Sequence, residues 1–401
     1  MSQRLSRRTI LKNGLSMVGA ASLGSTAGVA AEPKDPPPPK IACGKCGVAE
    51  DYTVILHNTD RKVYVEGSGL AKLSDGRLVA VVPVVPSSTK GGWTAGPSNT
   101  HIHSSEDGGL TWRPLTKLPY ATAIPWAHGD ALYLFACRAG TTYRNDDLLL
   151  LRSDDGGSSW TAPSTLFKGH FWNCHCGMVQ RPDRIYASVC QFYGSEGTEP
   201  RSPVVIAGDL TRDPLDPAAW RMSDRPPFPG IPRTLGPSYD AGWLEQSVID
   251  VKGDLQVVCR VRRGTSITNL GAILHLRDDE QSMKLKFFKY QAIPGGHMKF
   301  SIIYDDISGL FWMPANPATK YADRRFLMLY HSLDGMNWLP AGCIAAARSL
   351  NESFMYPYSM VDGNDLITIS RTSSGADGMH NADYATFHRV KNFRELALPL
   401  A

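Results

Sequence analysis

The sequence predicts an all-β protein, a six-bladed β-propeller. Three observations carry that expectation. Two eight-residue stretches share one pattern, Ser105-Glu-Asp107-Gly-Gly109-Leu-Thr111-Trp112 and Ser153-Asp-Asp155-Gly-Gly157-Ser-Ser159-Trp160, and a shorter relative reads Ser332-Leu-Asp334-Gly335-Met-Asn-Trp338. A repeated turn implies a repeated unit and hence an array. Six hairpins of apolar and β-branched residues recur at the roughly 40–60-residue spacing of a four-stranded blade. The chain has 401 residues, 20% charged and 42% hydrophobic, enough for one large ring.

The hairpins follow in order. Blade one pairs residues 67–73 with 77–84 across Ser-Asp-Gly, and blade two pairs 122–126 with 131–137 across His-Gly-Asp. Blade three pairs 174–180 with 184–192 across Arg-Pro-Asp, and blade four pairs 243–251 with 255–261 across Lys-Gly-Asp. Blade five pairs 298–304 with 310–313, and blade six pairs 356–361 with 365–369 across Asp-Gly-Asn. Gly in such turns permits positive φ, and Asp accepts hydrogen bonds from turn N–H groups. Residues 51–56 are expected to pair with blade six and close the ring, which removes exposed sheet edges. Residues 201–236, rich in Pro and polar residues, read as an insertion. Two packed β-sandwiches would not explain the repeated hairpin-plus-Trp register.

The N-terminus stands apart. Ser6-Arg7-Arg8-Thr-Ile-Leu11-Lys12 precedes an Ala/Gly-rich apolar run, so residues 1–31 read as a twin-arginine export signal cleaved after Val29-Ala-Ala31. The expected destination is the periplasm or the extracellular space, with no membrane association after cleavage. Residues 32–50 read as a Pro-rich linker carrying Cys43-Gly-Lys-Cys46, and residues 51–401 as the propeller. The signal holds four bases and no acid. Removing them from 42 leaves 38 bases against 38 acids, so no charge argument for nucleic acid remains. Of eight cysteines, Cys137, Cys190, Cys259 and Cys343 lie in apolar runs and read as buried thiols. Cys43/Cys46 and Cys174/Cys176 are closely spaced, which suits disulfides, free thiols or a four-thiolate metal site.

The pattern Ser-x-Asp-x-Gly-x-Thr-Trp is that of the Asp box, or BNR repeat, and the chain resembles the sialidase-like six-bladed propellers. The first copy matches every fixed position; the second has Ser in place of Thr. The Asp box supports the fold and is not itself catalytic. The resemblance implies a Tyr nucleophile with a partner Glu, an Asp acid, and three arginines on a substrate carboxylate. Glu245-Gln-Ser-Val-Ile with Arg260 fifteen residues on resembles the family's Glu-x-Ser blade and its arginine, and Tyr356-Pro-Tyr358-Ser resembles its tyrosine blade. Two elements depart from the pattern. Glu66-Gly-Ser stands where the family has Arg-Ile-Pro, and residues 91–99, where the acid is expected, hold no acid. Lys299 stands near the third arginine's place, as a point charge and not a bidentate fork.

Side chains at the starts of the innermost strands converge on one pocket in a propeller. That rule nominates Glu66, Trp172, His175, Glu245, His297, Lys299, Tyr356 and Tyr358. The catalytic candidates are Tyr356, Glu245 and His175; Arg260, Lys299, His297, Glu66, Trp172 and Tyr358 are the substrate-binding candidates. His175 enters because imidazole titrates near neutral pH. The leading expectation is an exported exo-acting glycoside hydrolase acting on acidic or complex glycans, with no cofactor and no metal at the site. The rivals are a polysaccharide lyase using His and Tyr on uronate glycans, and a non-catalytic glycan-binding propeller.

Overall fold

The computed structural model describes residues 48–49, 51–89, 92–93, 98–139, 145–173, 176–192, 201–232, 242–262, 269–279, 281–317 and 323–398. The chain divides into a unit up to Pro38, outside the described residues, and one unit from Pro39 to Ala401. The second unit contains six antiparallel sheets of four or five strands, a two-stranded ribbon of Ser88–Thr89 and Gly92–Trp93, and no α-helix among the described residues.

Blade one runs from a broken inner strand, Val63–Val65 and Gly69–Lys72, through Leu78–Pro86 and Asn99–Ser105 to Arg113–Leu118. Blade two comprises Tyr120–His128, Ala131–Ala139, Asn145–Ser153 and Ser164–Phe167. Blade three starts with His170–Asn173 and Val179–Gln180 and continues with Arg184–Phe192, Arg201–Asp209 and Trp220–Met222. Blade four comprises Gly242–Val251, Asp254–Arg262, Leu270–Asp278 and Met283–Ala292. Blade five comprises Ile303–Asp305, Leu310–Ala315, Phe326–Ser332 and Leu339–Ala346. Blade six comprises Ser353–Asp362, Asp365–Ser373 and Tyr384–Val390, completed by Tyr52–His57 from the other end of the chain. The ring closes as the sequence implied.

Residues 201–236 correct the sequence reading. Arg201–Asp209 and Trp220–Met222 are the third and fourth strands of blade three, because Val204, Val205 and Ile206 form a buried apolar run inside the polar stretch.

Each sheet is covered on both faces, so its strands read as near-continuous apolar runs. In residues 78–82, Leu78, Ala80 and Val82 pack toward blade six while Val79 and Val81 pack toward blade two. Each of the six blade junctions has its own cluster of buried apolar residues, including the junction of blades one and six.

The three repeated turns share a Ser–Asp hydrogen-bond scheme, to which the first two add a donation from the Trp indole that Trp338 of the third does not make. In the first, Ser105 Oγ donates to Asp107 Oδ1 (2.7 Å) and accepts from Gly109 N–H (2.8 Å). Thr111 donates to Asp107 through N–H (2.9 Å) and Oγ1 (2.6 Å), and Trp112 Nε1 donates to Gly109 O (3.1 Å). The second repeats every bond with Ser159 in place of Thr111. In the third, Asn337 supplies the two donations to Asp334. Each turn abuts the preceding blade: Gly109 meets Phe387 of blade six, Gly157 meets Ile102 of blade one, and Gly335 meets Ile249 of blade four. The Trp side chains are half-buried.

Of the apolar-run cysteines, Cys137, Cys190 and Cys259 are buried and Cys343 is half-buried. Cys176 is a free buried thiol, while Cys43, Cys46 and Cys174 lie outside the described residues.

Candidate active site

Two blades present their key side chain in the same way. In blade four, Leu244 pairs with Arg260 and Ser247 with Val258, so Glu245 and Gln246 oppose one residue in a β-bulge. In blade six, Met355 pairs with Arg371 and Tyr358 with Ile369, so Tyr356 and Pro357 form the equivalent bulge. Glu245 has φ 50° and Tyr356 φ 53°, the left-handed region that side-chain-bearing residues seldom occupy. Such strain persists only where the surroundings over-determine it, and it concentrates at functional sites. In both blades an arginine lies fifteen residues on, opposite the residue before the bulge.

The bulges aim Glu245 and Tyr356 at one point. Arg260 Nη1 donates to Glu245 Oε2 and to the Tyr356 hydroxyl (3.3 Å), and Arg260 Nε donates to the His297 carbonyl (2.8 Å). Burial alone would raise the Glu245 carboxyl. The charge and hydrogen bond of Arg260, aided by Arg201 and Lys299, outweigh burial and hold it below the ordinary carboxylate value. Glu245 is therefore ionised at neutral pH.

Two further arginines, not foreseen from the sequence, complete the cluster. Arg371 is fully buried, and its Nη1 donates to both Glu66 oxygens at 3.0 Å. Its Nη2 contacts the His380 carbonyl and Nδ1. The Arg371 guanidinium lies between two rings, 4.6 Å from the Tyr64 centroid and 4.7 Å from that of Tyr356. Arg324 lies 5.4 Å from the Tyr356 centroid and donates to Met355 Sδ (2.9 Å). Its Nε is buried with no partner among the described residues. Burial, with repulsion from Arg260 and Arg371, lowers its pKa from the usual arginine value. The spacing Tyr356-to-Arg371 repeats Glu245-to-Arg260 and was a signal available in the sequence. Arg324, in Asp323-Arg-Arg325, carries no such pattern.

The other nominated residues take distinct places. Glu66 is buried and reaches the cluster through Arg371. Lys299 is 2% exposed, and its Nζ donates to the Pro357 carbonyl (2.6 Å). His297 is buried behind Arg260; its Nδ1 accepts from Asn269 N–H (2.9 Å), and burial with the charges of Arg260 and Arg324 pushes its pKa to about 3. Trp172 is half-buried against Cys176, Cys190 and Leu244, with the Arg201 guanidinium 5.9 Å from its ring. Tyr358 lies beyond the bulge and lines a cavity of about 680 Å³ at the other, hairpin-turn end, with Asp250, Tyr304 and Val361. His175, and most of residues 91–99, lie outside the described residues.

No protein-family model and no curated protein sequence matches the chain. Solved structures do. A mutant of Trypanosoma rangeli sialidase displaying trans-sialidase activity is similar at TM-score 0.60 and 13% identity over 86% of this chain and 59% of that one. The fold is a sialidase-like six-bladed β-propeller. An α-L-arabinofuranosidase from Fusarium graminearum is similar at TM-score 0.57 and 12% identity, over 86% of this chain and 98% of the other. An α-L-arabinanase of Penicillium chrysogenum, complexed with arabinobiose, is similar at TM-score 0.52 and 12% identity over 85% and 98%. The sialidase-like propeller of this chain spans 55 to 60% of the length of the first three trypanosomal sialidase structures.

Proposed function

We propose that this chain is an exported glycoside hydrolase acting on acidic glycan ends, with Tyr356 as nucleophile and Glu245 as the base that accepts its proton. The observation that carries the reading is the charge around Tyr356. Arg260 is paired with Glu245 and Arg371 with Glu66, whereas the buried Arg324 beside the Tyr356 ring has no carboxylate partner among the described residues. A buried charge without a partner is costly, so the site favours an anionic ligand. Structural similarity to a sialidase, an arabinanase and an arabinofuranosidase supports a glycan-acting hydrolase. The three repeated turns are read as Asp boxes, and residues 1–31 as a twin-arginine signal. Replacing Arg7 and Arg8 with Lys should leave precursor in the cytoplasm; normal export of that variant would reject this signal.

The proposed substrate differs from a simple sialoside. Glu66 occupies the place of the family's first arginine, and its charge is balanced by Arg371 as that of Glu245 is by Arg260, so Arg324 is the arginine of the cluster that has no carboxylate partner among the described residues and can hold an anion. The lyase reading draws less support. His297 and His380, beside the cluster, have pKa values pushed down to about 3 and about 2 by burial and neighbouring arginines, which makes both weak bases at neutral pH.

The test is release of methylumbelliferone by the mature chain from a panel of aryl glycosides of hexuronic acids, neutral sugars and sialic acid. An aryl leaving group needs little protonation, so the panel is insensitive to the acid missing from residues 91–99. Turnover of a uronide, weak turnover of the sialoside and loss of both in Tyr356→Phe are expected. Binding without turnover would leave a glycan-binding propeller, and unsaturated ultraviolet-absorbing products from a 4-linked uronate polysaccharide, which supplies the leaving group at C4 that the aryl glycosides lack, would identify a lyase.

A further inference from the structure

Tyr356 occupies a backbone conformation that its sequence opposes twice. A side-chain-bearing residue is disfavoured at φ 53°, and the residue before proline is normally driven into extended conformations. The bulge therefore needs restraint from outside its own strand.

Two buried cations supply contacts at the right places. Lys299, from the start of blade five, donates to the carbonyl of Pro357, the second residue of the bulge. Arg371, from the neighbouring strand, lies on the face of the Tyr356 ring. Arg371 is itself fixed by four groups: both oxygens of Glu66, the Tyr64 ring, and His380. Glu66 and Tyr64 belong to blade one, 305 and 307 residues away in the chain, so the clasp spans the junction where the ring closes. Both Nη atoms of Arg371 are engaged by protein groups, and the side chain has no exposure to offer a substrate.

We infer that Arg371 and Lys299 are positioning residues for Tyr356: Arg371 orients the ring, Lys299 sets the backbone of the bulge, and Glu66 holds Arg371. The inference rests on the hydrolase reading in which Tyr356 reacts. It assigns Glu66 and Lys299 to the tyrosine instead of to the substrate. It also gives the departure at the first arginine's place a role: the acid there anchors the arginine beneath the tyrosine.

The experiment combines kinetics and crystallography on the mature chain, using the methylumbelliferyl uronide. Arg371→Met keeps much of the volume and removes the charge and the fork. A misplacement of about 1 Å at a reacting group costs roughly 10²-fold, so kcat should fall by that order with KM nearly unchanged. Lys in place of Arg371 should not rescue, because a point charge cannot reproduce the fork on Glu66. Glu66→Gln, nearly isosteric, should give a smaller loss in the same direction, and Glu66→Gln with Arg371→Met should be no worse than Arg371→Met alone. If Arg371→Met does not fold, Glu66→Gln and Lys299→Met carry the test. A rise in KM at unchanged kcat, or a folded variant with full kcat, would overturn the proposal. Should the wild-type chain hydrolyse no member of the panel, the hydrolase reading fails separately, and the crystal structures still decide. The Tyr356 hydroxyl is expected to leave its position 3.3 Å from Arg260 Nη1 in Arg371→Met; an unmoved ring would refute the clasp.

Discussion

At the scale of single residues, the site is a competition between strain, burial and charge. Glu245 and Tyr356 are held at positive φ in matching bulges, and Arg260 bridges them. If Tyr356 is the nucleophile, Tyr356→Phe removes its oxygen and Glu245→Gln its base. Each should lower kcat by roughly 10²–10⁴-fold, the scale of acid–base contributions. The double variant should be little worse than the worse single one, because residues acting as a unit are not additive. Tyr358→Phe is the control, since Tyr358 lines the cavity at the other end and should retain activity. Arg324 admits a sharper test. Its buried guanidinium has a thioether as its hydrogen-bond acceptor among the described residues, so Arg324→Met should cost little stability. It should nevertheless raise KM for the uronide while sparing a neutral aryl glycoside, as inhibition and initial-rate measurements would show. Equal effects on both substrates would deny Arg324 a role in anion binding. Glu245, Arg260 and Tyr356 were legible in the sequence because they lie in runs that resemble a known pattern. Arg324 was not, because nothing local marks an arginine that becomes important only when a neighbouring blade packs over it. Arg371 was half legible, through a fifteen-residue spacing that acquires meaning once Glu245 and Tyr356 are seen to occupy the same bulge. Lys299 was visible as a residue but not as a contact, since its acceptor is a backbone carbonyl on another blade.

At the scale of elements, the repeated turns bind one blade to the one before it. Asp107 organises its own turn through three donors, whereas Gly109 sits against Phe387 of blade six and Thr53 Oγ1 donates to its carbonyl (2.6 Å). The two residues should fail differently. Asp107→Ala loses local hydrogen bonds in an exposed turn, and since a typical bond contributes about 0.5–1.5 kcal/mol net, a modest loss is expected. Gly109→Ala places a Cβ 2.2 Å from Phe387 Cε1 at φ 93°, combining a clash with strain. Overpacking alone costs about 1–3 kcal/mol. Thermal unfolding followed by circular dichroism should rank Gly109→Ala below Asp107→Ala, with kcat per folded molecule unchanged in Asp107→Ala. The reverse ranking would mean that the turn, and not its seat on the neighbouring blade, carries the stability. Hairpins and repeats were readable from the sequence because they are local. The outer strands of blade three were hidden by Pro200 and Pro203 just before Val204–Ile206, and the short inner strand of blade five, Ile303–Asp305, falls at the end of the longer run that periodicity suggested.

At the scale of the whole molecule, burial on both faces of every blade traps histidines in their neutral form. His388 is 1% exposed, and its Nε2 contacts the hydroxyls of Ser370 (3.1 Å) and Thr386 (2.9 Å), with no carboxylate among its hydrogen-bond partners; burial pushes its pKa to about 3. His103, buried in blade one beside His101 and Lys117, is lowered to about 4, first by burial and then by those charges. His297 is lowered to about 3. An unfolded chain takes up these protons near the ordinary histidine value of about 6.5, while the folded chain refuses them until much lower pH. The unfolded state therefore binds more protons between about 6.5 and about 3, and stability must rise with pH across that window. The stabilisation is fully present above about pH 6.5 and is lost progressively as pH falls toward the folded values, each such histidine costing up to about 1.4 kcal/mol per pH unit. Carboxylates act in the same direction lower down: Asp305, held at about 2 against burial by Arg394 and Ser308, withdraws its contribution below the ordinary aspartate range. The expected result is a melting temperature that is flat above pH 7 and falls steeply from pH 6 to pH 4. His388→Gln removes one titrating group while keeping a hydrogen-bonding side chain among the hydroxyls, so its melting temperature should be lower at pH 7 and its decline toward pH 4 shallower than wild type. Parallel curves for the two proteins would show that His388 takes no part in the acid sensitivity of the ring.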